Sequence, residues 1–236
     1  AGALNMWYEA DLDKLMTRTC LRPIPRGKLN RNQALYFGVS LSVLSVVSLY
    51  YFTNPLSSFL LFFTIFFYLV VYTIWLKRRT PQNIVIGGAA GALPPVIGWT
   101  IATNSLSLEP LVFFLTIFIC ILLHFCVFFL YKAKDYKKAK IPMLPITNGI
   151  ENIKKNIFIY SLLMIPTIIF PYTIGFVTEL FLILGLTLTI YYNHICFKLY
   201  KFKKNKFDIK TAKHIFAYSI FYLFLLFFLF FLYKLI

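Results

Sequence analysis

Long apolar runs alternate with short basic connections along this chain, and neither a period of two nor a polar stripe at 3.6 residues interrupts the runs. Seven stretches stand out, at residues 33–52, 56–76, 84–103, 110–131, 156–175, 177–197 and 213–235. Each is close to the ~20 apolar residues that a helix needs to cross a bilayer. The pattern predicts an all-α fold, a polytopic membrane helix bundle formed by a single domain over residues 1–236. Residues 1–10 read as the end of a helix too short to span, so the chain is expected to begin inside an element with further helices upstream. Pro94-Pro95 breaks the third span mid-membrane, which is tolerated where the freed backbone is satisfied again or lines a cavity.

Charge placement gives the topology. The chain carries 24 Lys and Arg against 8 Asp and Glu, a formal net charge of +16. That balance alone suits nucleic acid, but 23 of the 24 cations fall in 11–32, 77–83, 132–155 and 198–213. The connections on the opposite side, 53–55, 104–109 and the turn near 176, carry none. This is the positive-inside rule, so the basic loops face the cytoplasm or its topological equivalent and nucleic acid is not an expected partner. The expected location is the lipid bilayer of a bacterial cytoplasmic membrane or a mitochondrial inner membrane. Only 14% of residues are charged and 60% are hydrophobic, where a soluble domain has roughly a quarter charged. Cys20, Cys120, Cys126 and Cys196 show no paired spacing and suggest neither a disulfide framework nor a zinc site.

The acids are rare, yet Glu9, Asp11 and Asp13 fall within five positions. Residues four apart drift only ~40° around a helix, so Asn5, Glu9 and Asp13 share one face, while Asp11 lies ~200° from Glu9. Oxygen ligands at this density suit Mg²⁺, which commonly bridges to a phosphate. Arg18, Arg22 and Arg26 follow at four-residue spacing, and guanidinium forks match phosphate oxygens. Ordinary positive-inside charge is the plain alternative for these arginines. In YKAKDYKKAKIPMLP, Asp135 is the one acid among five lysines, either a second Mg²⁺ ligand or a neutralising charge. Thr80, Gln82 and Asn83 place polar groups at the mouth of a Gly/Ala-rich span, as a cavity rim needs. His124 lies mid-span, where an ionisable group is a functional candidate by default. Its chemistry suits a haem iron or a propionate, or else a hydrogen bond to a neighbouring helix. His194 and His214, near helix ends, read as structural.

The segments ALNMWYEADLDKLMTRT, RPIPRGKL, KRRTPQNIVIGGAAGALPPVIGW, His124-Phe125 and YKAKDYKKAKIPMLP together resemble the protoheme IX farnesyltransferases (haem O synthases) of the UbiA superfamily of intramembrane prenyltransferases. Asn5, Glu9 and Asp13 match the superfamily's N-x-x-x-D-x-x-x-D motif with Glu at the middle position. The resemblance implies nine transmembrane helices and transfer of a farnesyl group from farnesyl diphosphate to haem B, with water, giving haem O and diphosphate. It implies catalytic roles for Asn5, Glu9, Asp13, Arg18, Arg22 and Asp135. Mg²⁺ is expected on Asn5, Glu9, Asp13 and Asp135, and substrate contacts from Asn83, His124, Tyr131, Lys132 and Lys134. Haem B enters as substrate rather than resident cofactor, and the implied partners are haem A synthase or a terminal oxidase assembly. Cys20, Leu21, Cys126 and Lys134 depart from the usual pattern. Two rivals stand beside this reading: a UbiA-type enzyme with an aromatic or quinone-precursor acceptor, and a non-catalytic haem carrier or transporter.

Overall fold

The computed structural model describes residues 1–17, 19–138, 144–203 and 206–235, with backbone alone at 132–138, 144–148 and 234–235. Every regular element among them is helical, and seven helical segments are long and apolar enough to cross a membrane: Arg31–Phe52, Pro55–Leu76, Asn83–Thr103, Glu109–Tyr131, Gly149–Thr173, Glu179–Lys201 and Ile209–Tyr233. These are the seven spans that the apolar runs predict, with most ends shifted by a few residues and the fifth starting at Gly149 rather than 156. The chain divides into two compact units, Ala1–Leu106 with Ala133–Met143, and Ser107–Lys132 with Leu144–Ile236.

The first unit contains α1 (Gly2–Tyr8), α2 (Ala10–Asp13), α3 (Arg31–Phe52), α4 (Pro55–Phe66), a π-helical stretch (Phe67–Leu76), α5 (Asn83–Ala92) and α6 (Pro94–Thr103). Local chemistry sets the boundaries. Asn30 opens α3 by accepting the Asn32 amide, and Gln33 reaches back to the Asn30 amide at 2.9 Å, a reciprocal cap. Asn54 opens α4 through the Ser57 amide at 2.8 Å, with Pro55 at the first helical position. The same Asn54 donates its side-chain amide to the Thr100 carbonyl at 2.7 Å, tying α4 to α6. The third span breaks where the proline pair predicts, α5 ending at Ala92 and α6 starting at Pro94.

Beyond Phe66 the backbone closes i→i+5 bonds, such as the Lys77 amide to the Tyr72 carbonyl at 2.9 Å. Such wide turns occur frequently at functional sites. They place Tyr72 against α5, where a Cβ on Gly87 would overlap its ring. Gly87→Ala is therefore expected to cost about 1–3 kcal/mol through overpacking, read as a lower midpoint of thermal unfolding in detergent. An unchanged midpoint would mean that this contact yields freely.

The second unit holds α7 (Glu109–Lys138, as far as Lys132), α8 (Leu144–Thr173, kinked at Gly149 with φ 77°), α9 (Glu179–Lys201) and α10 (Ile209–Leu235). On α10, Ser219, Tyr222, Leu226 and Phe230 are buried, while Phe221, Phe224, Phe228 and Phe231 are exposed. Both faces are apolar because the outer one meets lipid rather than water. This helix starts at Ile209, four residues before the apolar run, because Asp208 caps it. The Asp208 carboxylate accepts the Lys210 and Thr211 amides at 3.1 Å and the Thr211 hydroxyl at 2.6 Å. The Thr211 hydroxyl, then the amides, hold this carboxyl below the usual range.

Candidate active site

The acidic centre forms where α1 and α2 meet α3 and the π-helical stretch. Leu4 seats α1 against Gly38 of α3, where an added Cβ would approach the Leu4 side chain at 2.7 Å. Arg31 closes the end of α1, donating to the carbonyls of Trp7 at 2.9 Å and Tyr8 at 3.4 Å, as cations at helix C-termini do. The helix axis breaks at Glu9, yet the bonds Glu9 N–H to Asn5 and Asp13 N–H to Glu9 persist at 2.9 Å. The four-residue register therefore survives the break. Asn5, Glu9 and Asp13 are 6%, 2% and 2% exposed, whereas Asp11 points outward, as its angular offset predicts.

Each acidic residue has a cation. Lys77, delivered by the end of the π-helical stretch, reaches Glu9 Oε2 at 2.6 Å. Arg22 places Nη1 against both Asp13 oxygens, at 2.9 and 3.1 Å. At the rim Arg78 meets Asp11 at 2.9 Å. Partial burial raises the Asp11 carboxyl, but the hydrogen bond and charge of Arg78 outweigh it and hold the group below its ordinary value. Asn5 donates its side-chain amide to Thr73 Oγ1 at 3.2 Å, and that hydroxyl donates onward to the Tyr68 carbonyl at 2.9 Å. The contact turns the Asn5 oxygen, not its nitrogen, away from Thr73 and makes it the end able to face a cation.

Glu9 Oε1 is buried without a hydrogen-bond partner among the described residues. A carboxylate oxygen withheld from water and from donors is costly, and a divalent cation would satisfy it. No group of three or more His, Cys, Asp and Glu that could hold a metal occurs among the described residues. Two carboxylates and an amide oxygen do suit Mg²⁺, which keeps several waters and shares its coordination with substrate phosphates.

The remaining sequence candidates divide by place. Asn83 is fully buried and donates to the Thr80 carbonyl at 2.5 Å, so it braces the 77–80 turn from beneath rather than standing at an open rim. Arg18 and the side chains of Lys132, Lys134 and Asp135 lie outside the described residues. In the second unit, His124 Nδ1 lies 2.6 Å from Ser219 Oγ, while that hydroxyl lies 2.7 Å from the Phe216 carbonyl. A hydroxyl has one proton: on the carbonyl it makes Nδ1 the donor and leaves the lone pair on Nε2, and on Nδ1 it leaves the N–H on Nε2. The imidazole packs tilted against Phe216 at 4.1 Å, and Phe128 and Tyr131 pack around the same Phe216 ring at 6.0 and 5.9 Å. The hydrogen-bonded alternative for His124 is thus realised at Nδ1.

Lys77, Thr73 and Ser219 are the site residues that the sequence pattern did not single out. A weak signal existed for Lys77, which opens the KRRTPQN segment. None existed for Ser219, which lies 95 positions from His124.

The profile of the UbiA prenyltransferase family matches residues 1–225. The chain belongs to the UbiA prenyltransferase family. Among curated UbiA relatives, it is 70% identical to protoheme IX farnesyltransferase of Pelagibacter ubique over 94% of this chain and 74% of that one. It is 48% identical to protoheme IX farnesyltransferase 2 of Mesorhizobium japonicum over 94% of this chain and 71% of that one. The fold matches a solved digeranylgeranylglyceryl phosphate synthase with TM-score 0.77 at 20% identity, covering 98% of this chain and 79% of that one. It also matches a UbiA homologue from Archaeoglobus fulgidus bound to DMAPP and Mg²⁺, with TM-score 0.65 at 15% identity over 93% and 81%. This UbiA chain is therefore an integral membrane protein of a prenyltransferase fold.

Proposed function

We propose that the chain is a protoheme IX farnesyltransferase: it joins the farnesyl group of farnesyl diphosphate to a haem B vinyl group. The allylic C–O bond breaks, a C–C bond forms at the vinyl carbon, and water supplies the hydroxyl of haem O as a proton leaves. Diphosphate is the other product. The 70% identity to a curated protoheme IX farnesyltransferase over nearly the whole chain carries this reading. It favours haem over a quinone precursor as acceptor, and the paired, buried carboxylates argue for an enzyme over a carrier.

Asn5, Glu9 and Asp13 would hold Mg²⁺ with the diphosphate, which supplies charge stabilisation to the departing group. Arg22 orients the Asp13 carboxylate and Lys77 the Glu9 carboxylate, so both acids are fixed before substrate arrives. Arg18, Lys132, Lys134 and Asp135 complete the diphosphate side on sequence grounds, and Asn83 supports it through the 77–80 turn. His124 would face the haem through Nε2, as acceptor or donor according to its tautomer, and Tyr131 belongs to its aromatic surround. Terminal-oxidase assembly, with haem A synthase where present, would consume the product at a bacterial inner membrane.

The test is a haem extract from an oxidase-competent host that lacks its own enzyme and expresses the full-length version of this chain. A haem species heavier by a hydroxyfarnesyl group is the expected result. Haem B alone, from protein shown to be inserted and folded, would overturn the proposed acceptor.

A further inference from the structure

The C-terminal end of α9 carries a polar site that prenyl transfer does not use. His194, Lys198 and Lys201 follow one another by four and three residues, so one face presents a ring N–H donor and two ammonium groups. With Phe197 and Phe202 they line, among the described residues, an open cleft of about 470 Å³. The cleft lies at the end of the span Glu179–Lys201, on the basic side, at the level where phospholipid phosphates sit. Further along the same helix face, Ile183 and Ile190 are exposed to the membrane.

The cleft is held in shape. Phe197 packs on Phe158 at 5.3 Å, and the Lys201 ammonium lies 4.8 Å from the Phe197 ring centre. Lys154 is fully buried, and its ammonium binds the Phe202 carbonyl at 2.9 Å and the carbonyls of Lys203 and Lys206 at 3.4 Å. One buried cation thus pins the chain as it leaves α9 and fixes the Phe202 wall. Lysines in a last helical turn also offset the helix dipole, but that accounts for neither the aromatic walls nor His194 a turn earlier. No carboxylate is among the lining residues.

We propose that this cleft binds the headgroup of an anionic phospholipid, with phosphate oxygens on Lys198 and Lys201 and an acyl chain along Ile190 and Ile183. The apolar walls and the position at the membrane border favour a lipid over free phosphate.

Native mass spectrometry of the full chain titrated with phosphatidylglycerol in detergent tests this. A juxtamembrane lysine contributes about fivefold to anionic-lipid binding, so K198Q/K201Q is expected to weaken the first bound lipid by ~25-fold. K198R/K201R should retain it, and K210Q/K213Q, which removes equal charge from the same side outside the cleft, should resemble the parent. Melting temperatures in lipid-free detergent check folding, and K201Q alone, with an expected loss of about fivefold, serves if the double variant misfolds. Equal weakening in both glutamine pairs, or none in K198Q/K201Q, would overturn the site. Displacement of the lipid by inorganic phosphate at matched concentration would reassign it as a plain anion site.

Discussion

Replacing Asp13 with Asn is expected to lower haem O formation by about 10²–10³-fold, the usual effect of removing one fixed charge-stabilising group. The substitution preserves shape and leaves Arg22 an acceptor, so the fold should survive. The acid itself is 2% exposed, which places its charge in surroundings where Coulomb interactions are weakly screened. The deficit should fall on kcat, because the carboxylate matters most as charge builds on the departing diphosphate. Haem B retention, read from the absorbance of the purified protein, should be unchanged, since Asp13 is not among the proposed haem contacts. Undiminished haem O from Asp13→Asn would remove Asp13 from the proposed metal site.

The second large effect is expected at Lys77. Its ammonium is 15% exposed and sits 2.6 Å from a Glu9 carboxylate that is 3% exposed. Deleting one partner of such a pair leaves an uncompensated buried charge, a loss of about 3–5 kcal/mol. Lys77→Met should therefore unfold at distinctly lower temperature, and the double variant Lys77→Met/Glu9→Gln should recover much of the loss. Added magnesium should stabilise Lys77→Met more than the parent, because Glu9 would then have no competing partner. Equal magnesium responses in the two proteins would separate Glu9 from the metal. Glu9 Oε1, buried and without a donor among the described residues, is the atom on which this expectation turns.

Much of this architecture is legible in the chain itself. The seven apolar runs give the spans because hydrocarbon solvent demands length and apolarity whatever the partner helix. The spacing of Asn5, Glu9 and Asp13 gives one buried face, and it separates Asp11 correctly, because four-residue steps survive even a local break in the helix. Lys77 is obscured for the converse reason. The π-helical turns between Phe67 and Leu76 change the angular step, so a projection at 3.6 residues per turn does not hold through the segment that delivers Lys77. Ser219 and His124 meet through tertiary packing, which no local pattern encodes. Lys154 counts as one more loop cation in sequence, yet it is the buried centre of a turn whose carbonyls are contributed about 50 residues later. The apolar run places the start of α10 four residues late, because Asp208, the residue that caps it, directly follows a lysine-rich stretch that reads as loop.

The two inner ion pairs have a consequence for how the centre fills. Among the described residues, Glu9 and Asp13 are matched one for one by Lys77 and Arg22, so the inner acids and bases of the resting pocket cancel. Such a pocket gains little from a bare dication, which would leave it cationic, and little from a bare polyanion, which would leave it anionic. It favours the two in combination, and by thermodynamic reciprocity each raises the affinity for the other. Ligation would then be synergistic, with the centre remaining close to neutral before loading and after it.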